Sequence, residues 1–340
     1  MKHRSAALLL LATSTTALAQ ISADRAISTV RTPGVSTGDL ALKSALKRAI
    51  SAQAPELYPG EIDDVGPQFL ISREQPGTDG KTSAPQPHRW IEAFADTQLF
   101  YTSNALLTEK GNQDTNVMVI TLQAAVTPPP FPLAGGTASA RIGYRHQWWL
   151  YSLDNTENQL NNFDFAVSTA FVSLRNSWDE KWVATLNLDY NRYLSHDTDW
   201  AEFYTELSPS WSLERNIPLT EKCLLTAGYY GAWHWTQTDP MPVQHINDRL
   251  DSALGITITA ELLPRLLAQG YYRLQWSHYS ENSDRNDMYN NLGIALIYSF
   301  NDWASVRTFV SYENRNSTDP VIADYGKWDT GGGVMFSMRF

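Results

Sequence analysis

The chain has 340 residues, a formal net charge of −10 and one cysteine, Cys223. That acidity argues against nucleic acid as a partner, and a lone cysteine excludes an internal disulfide. No run of 18 apolar residues occurs, so no transmembrane helix is expected, yet 12 Trp and 16 Tyr are more than a soluble core of this size needs.

The first element reads as a Sec signal peptide. Lys2, His3 and Arg4 precede the apolar run 6–12, and Ala17-Leu18-Ala19 precedes Gln20, which predicts cleavage after Ala19. Loss of Lys2 and Arg4 would take the net charge to −12. Residues 20–87 follow as a segment of different character, mostly irregular. Within 40–54, Leu42, Ala45, Leu46, Ala49 and Ile50 share one helical face, with Lys43, Lys47 and Arg48 opposite; Thr37 or Asp39 can cap this helix and Pro55 stops it. The stretch 75–87, rich in Gly, Pro and Ser, reads as a tether.

From residue 88 to 340 twelve segments alternate with a period of two: 89–101, 115–127, 138–152, 161–177, 181–194, 199–213, 221–236, 247–261, 265–279, 287–300, 303–315 and 325–340. Each is longer than the roughly 9–11 residues a tilted strand needs to cross a bilayer. In the last, Val334, Phe336, Met338 and Phe340 alternate with Gly333, Met335, Ser337 and Arg339. The expectation is an all-β fold, a 12-stranded antiparallel transmembrane β-barrel, stabilised by its closed backbone ladder.

A chain that begins with a signal peptide and ends on such a strand with a terminal Phe340 resembles the outer-membrane β-barrels of Gram-negative bacteria. Asp96, Tyr101, Ser103 and Asn104, at the top of the first strand, look like features of β-barrel porins of unassigned substrate. The resemblance implies an outer-membrane location, contact with lipid and lipopolysaccharide, and recognition of the C-terminal strand and Phe340 by the barrel assembly machinery. It implies a passive channel for a small hydrophilic solute, with a non-conducting structural or surface-assembly barrel as the alternative. Residues 20–87 would then be periplasmic. The helix 40–54 is a plug entering the bore, an amphipathic helix on the inner leaflet, or a solvated helix of no special role.

An even strand number puts both barrel ends in the periplasm, where turns should be short. Segments 178–180, 262–264 and 301–302 satisfy this, and the longer polar connections 102–114, 237–246, 280–286 and 316–324 fall outside. Segments 128–137, 214–220 and 195–198 depart from the rule. On the lipid-facing register, Trp182, Trp211, Phe300 and Phe340 mark a periplasmic belt. Tyr101, Trp148, Phe163, Tyr190, Trp235, Trp276 and Tyr312 mark an external one.

Twelve strands about 4.8 Å apart, tilted about 40°, enclose a cylinder roughly 24 Å across, of which side chains would leave roughly 10 Å. Alternation turns Arg141, Arg145, Arg249, Arg273, Arg307 and Arg339 inward, and Asp164, Asp189, Glu202 and Glu206 inward on strands four to six. Either the two groups form opposed arcs that set a field across the bore, or they neutralise one another in a polar core, as Arg339 with Glu92. Trp149, Tyr151, Tyr193, Tyr204, Tyr230 and Tyr279 are expected inward near the external mouth, where rings either stack on sugars or fill space.

No catalytic residues are expected. His146 and His278 lie on the lipid-facing register, His234 inward, and His196 and His245 in loops, with no nucleophile motif beside any of them. The acidic loop residues Asp197, Asp199, Glu281, Asp284 and Asp287 read as solvated carboxylates rather than Ca²⁺ ligands, so no metal or cofactor is expected.

Overall fold

The computed structural model describes residues 90–339 except 106, 108–113, 152–163, 179–180, 196–199, 239–244, 246, 281–284, 302 and 320–323. The expected signal peptide, the segment 20–87 with its helix and tether, and Phe163, His196, Asp197, Asp199, Glu281, Asp284 and Phe340 lie outside the described residues.

Among the described residues thirteen strands are formed: β1 (Ile91–Thr102), β2 (Thr115–Val126), β3 (Phe131–Leu133), β4 (Gly136–Leu150), β5 (Phe165–Trp178), β6 (Trp182–Ser195), β7 (Ala201–Thr220), β8 (Cys223–Thr238), β9 (Arg249–Leu263), β10 (Leu266–Tyr279), β11 (Asn286–Ser299), β12 (Ala304–Ser317) and β13 (Tyr325–Arg339). All pairings are antiparallel. β2 pairs with β4, each later strand pairs with the next, and β1 pairs with both β2 and β13, from Glu92↔Arg339 to Thr102↔Asp329. Twelve strands therefore form a closed ring, which removes the sheet edges that would leave backbone donors and acceptors unpaired. The thirteenth, β3, is a short addition on the edge of β4.

Two connections differ from expectation. Residues 128–137 hold a hairpin rather than a loose turn: Phe131 pairs with Ala138, and the chain reverses through Ala134 and Gly135 at φ 49° and 78°, the two positive values that a tight hairpin turn requires. Asn176 Nδ2 donates to the Leu133 carbonyl at 3.0 Å and Trp178 Nε1 to that of Ala134 at 2.9 Å, which clips this hairpin to β5. Segment 214–220 continues β7, with Thr220 opposite Cys223, so the reversal there uses only Glu221 and Lys222. One end of the barrel thus carries the short turns (the turn end), and the other the longer connections (the loop end).

The two faces of the wall are chemically inverted relative to a soluble protein. Outward side chains are large and apolar, with Ile142, Leu186 and Ile294 each more than half exposed. The expected belt residues Trp182, Trp211, Phe300, Tyr101, Tyr190, Trp235 and Trp276 are among those exposed on this face. Inward side chains are mostly hydrogen-bonding or charged, and they are buried. Inside the turn end an apolar cluster forms, in which Phe94, Leu267, Ala295, Ile297 and Met335 pack together with Phe309 against them.

Candidate functional site: the inner wall

Period-two geometry sends Glu92, Asp96, Arg141, Arg145, Asp189, Glu206, Arg249, Arg273 and Arg307 to the inside, because each shares the parity of buried neighbours on its own strand. Two expected lumen carboxylates are elsewhere. Tyr193 pairs with Tyr204 but Leu194 with Glu202, so residue 203 is an extra residue, a β-bulge. The bulge inverts parity, and Glu202 meets Arg192 on the outer face, Nε to Oε2 at 2.5 Å, with both side chains exposed. Asp164 precedes β5 and accepts the Tyr151 backbone N–H at 2.6 Å, so it ties the β4 and β5 ends together instead of lining the wall.

The opposed basic and acidic arcs do not form. Charges on the wall are matched at short range. Near the turn end, Arg141 reaches Glu92 at 3.4 Å across β2, and Arg307 reaches Asp96 at 2.7 Å across β13. Toward the loop end, Arg285 pairs with Asp287 at 2.8 Å, and Lys327 lies 3.2 Å from Asp329 and 3.8 Å from Glu313. Burial explains this arrangement: an ion withdrawn from water must find its counter-ion nearby, whereas arcs on opposite walls would leave every charge uncompensated. Asp287, expected as a solvated loop carboxylate, is instead buried on the wall against Arg285, and with Asp251 and Asp329 it follows a repeated basic-x-acid spacing, Arg249-x-Asp251, Arg285-x-Asp287 and Lys327-x-Asp329, which places both partners on one face of one strand.

The densest network joins β7, β8 and β9. Glu206 accepts from Tyr204 Oη at 3.0 Å and from Ser208 Oγ at 2.6 Å, and lies 2.9 Å from His234 Nδ1. His234 Nε2 is 3.1 Å from Asp251, and Arg249 approaches both Glu206 (3.6 Å) and Asp251 (3.3 Å). The Ser208–His234 contact of 3.0 Å gives a serine, an imidazole and a carboxylate in series. Every member of this group, Ser208 included, is buried.

Aromatic side chains form the upper wall. Trp149 and Phe165 stack at 5.8 Å, Tyr151 and Tyr193 flank Phe165 at 6.3 Å each, and Tyr193 meets Tyr204 edge-on at 5.0 Å. Phe165, Tyr289 and Tyr325 also belong to the loop-end wall, and the inward direction of Phe165 is opposite to the β5 register expected with Phe163 toward lipid. Arg285 lies over the Tyr279 ring at 3.9 Å and Arg315 over Tyr325 at 4.7 Å. Tyr230 is not at the mouth. It sits at mid-height, opposite Ser212 and Ala253, with Arg273 5.5 Å from its ring centre.

The wall is not uniformly closed. Along β8–β10 the inward positions Gly228, Ala232, Gly255 and Thr257 are small, and these residues, with Tyr230, Tyr271 and Arg273, are only partly buried. Among the described residues no group of His, Cys, Asp and Glu side chains is arranged to hold a metal ion.

The sequence matches no family model and no curated protein. Solved structures similar to it include an outer membrane channel from Pseudomonas putida F1 (TM-score 0.46, 8% identity, covering 77% of this chain and 100% of that one). A bacterial polysaccharide outer membrane secretin (0.45, 9%, 75% and 100%) and the KdgM porin in complex with disordered oligogalacturonate (0.38, 9%, 72% and 99%) are also similar. Identities this low carry no residue of the inner wall across.

Proposed function

We propose that the protein is a bacterial outer-membrane barrel that acts as a passive, porin-like channel for small hydrophilic solutes, saccharides among them. The observation that carries the membrane reading is the inversion of the wall, with apolar side chains exposed outside and ionisable ones buried inside a closed ring. Exposed Ile and Leu in this number would aggregate in water, while in a bilayer they face acyl chains. In this reading the turn end faces the periplasm with residues 20–87, the loop end faces outward, and lipid and lipopolysaccharide surround the ring. The assembly machinery takes hold of the C-terminal strand at Phe340.

The solute path follows the β8–β10 side, where the inward residues Ala232, Thr257, Tyr230, Tyr271 and Arg273 are only partly buried. A non-conducting barrel is the second reading. Burial of Arg141, Arg145, Arg249 and Arg307, none more than 4% exposed, favours it. Planar-bilayer recording separates the two. The channel reading expects unitary conductance from the mature chain; silence both from that chain and from one lacking residues 20–87 would leave the structural barrel. A conductance that appears only after the deletion would identify those residues as a plug.

A further inference from the structure

On the outer face of β4–β6 three polar side chains stand in one row. His146 of β4 is opposite Ser168 of β5, and Ser168 is opposite Arg192 of β6. The same face of β5 carries Ala166 and Ala170, whereas the flanking strands carry Tyr144 and Trp148 on one side and Tyr190 and Leu194 on the other. Ser168 therefore lies in a furrow between taller neighbours, 9% exposed. His146 Nδ1 and Ser168 Oγ are 2.8 Å apart, and the Trp148 ring meets the imidazole edge-on at 4.2 Å. Across the furrow the Arg192 guanidinium is half exposed, steadied through Nε by Glu202, the carboxylate that the bulge at 203 turns outward. Beyond His146 the row continues through Leu122 and Ala95 to Phe336, and a groove of about 470 Å³ that these residues line runs with it. Arg192 is near the loop end of β6 and Phe336 near the turn end of β13, since each step between tilted strands changes the height by about 3 Å.

We propose that Ser168 and His146 are the nucleophile and the base of a serine acyl-hydrolase that cleaves a fatty-acyl ester of a membrane lipid. Ser168 Oγ attacks the ester carbonyl carbon while its proton passes to His146 Nδ1, the nitrogen that faces it, and Arg192 meets the carbonyl oxygen as it becomes anionic. The C–O bond to the lipid alcohol then breaks, and that oxygen leaves with the proton from His146. Water attacks the acyl-serine by the same route, which releases the fatty acid and restores the Ser168 hydroxyl. Position selects a lipid over a soluble ester. The row runs from an exposed ion pair at the loop end into the apolar face, the order in which a lipid presents its phosphate, ester and acyl chain, and the groove beside His146 takes the chain. Glycerophospholipids and acylated lipopolysaccharide share this chemistry. Among the described residues no carboxylate is bonded to His146, so turnover should be slow. The assignment rests on the membrane reading of the outer wall and not on conduction.

The test uses the full chain folded in amine-oxide micelles, which contain no ester. A fluorophosphonate should attach to one serine, mapped to Ser168 by peptide mass. Fatty acid should be released from phosphatidylethanolamine or from lipid A, added separately to identify which lipid supplies the ester. Ser168→Ala and His146→Ala should each lower that release at least about a hundredfold, and Arg192→Met should lower kcat while leaving KM nearly unchanged. A folded, heat-modifiable parent that neither takes the probe nor releases fatty acid would overturn the proposal, as would undiminished release by Ser168→Ala purified in the same way. If His146→Ala gives no folded band, Ser168→Ala decides, because it removes only a hydroxyl. Because folding and hydrolysis are read in micelles, failure of the membrane reading shows separately, as absence of the protein from the outer-membrane fraction.

Discussion

Arg307 Nη2 meets Asp96 Oδ2 at 2.7 Å over the inner side of β13, and the residue beneath them is a glycine. Gly333 pairs with Gln98 of β1 on one side and with Arg307 of β12 on the other, so the bridge spans the seam at which the barrel closes. Both side chains are almost wholly buried. Removing either partner should leave an uncompensated charge and cost about 3–5 kcal/mol, while the joint change Asp96→Leu with Arg307→Met should cost much less than the two single changes added. Urea unfolding followed by electrophoretic mobility would measure this. Single variants within about 1 kcal/mol of the parent would refute it.

Gly333 itself is a second point of sensitivity. A Cβ there would stand 2.6 Å from the Thr97 carbonyl and 2.9 Å from Gln98 Cγ. Gly333→Val is therefore expected to impair closure of β13 onto β1, seen as a loss of the heat-modifiable folded band. A full yield of folded barrel would show that the seam can move aside.

On the outer face the contrasting pair is Arg192 and Glu202, whose side chains are 51% and 39% exposed. Solvent screening and side-chain entropy reduce such a pair to about 0–1 kcal/mol. Arg192→Ala should leave the unfolding midpoint almost unchanged. A loss comparable to that of Arg307→Ala would mean that the pair lies in lipid rather than at its aqueous boundary.

Among the inward arginines whose side chains are described, only Arg273 should report on transport without loss of the fold. It is partly accessible and stacks on Tyr230, whereas Arg249 is fully buried between Glu206 and Asp251. Arg273→Glu should shift the reversal potential in a salt gradient toward cations. Arg249→Ala should instead lower the yield of folded protein, since it withdraws the guanidinium from two buried carboxylates and leaves them only His234. An unchanged reversal potential in a folded, conducting Arg273→Glu channel would move the constriction away from β8–β10.

The period-two alternation is a local property, and it made the all-β ring and the inward direction of Arg141, Arg145, Asp189, Arg249, Arg273 and Arg307 legible from residues alone. It was enough because adjacent side chains on a strand must point to opposite faces whatever the strand packs against. A single inserted residue defeats that rule. The bulge at 203 carried Glu202 to the outer face, and β5 turns its odd-numbered residues inward from Phe165, the reverse of the expected register, which leaves Asp164 out of the inward row. Neither leaves a mark in the hydropathy pattern.

Partnership was decided only in three dimensions. Arg307 and Asp96 are 211 positions apart in the chain, and Phe94 packs with Leu267 and Ile297 because closure of the ring brings β1 beside β13 and curvature brings β10 within reach. Alternation specifies which way a side chain points but is silent on what stands opposite. Whether the inward charges formed separated arcs or local pairs therefore depended on register around a closed barrel, where the cost of burying an unpaired ion selected the pairs.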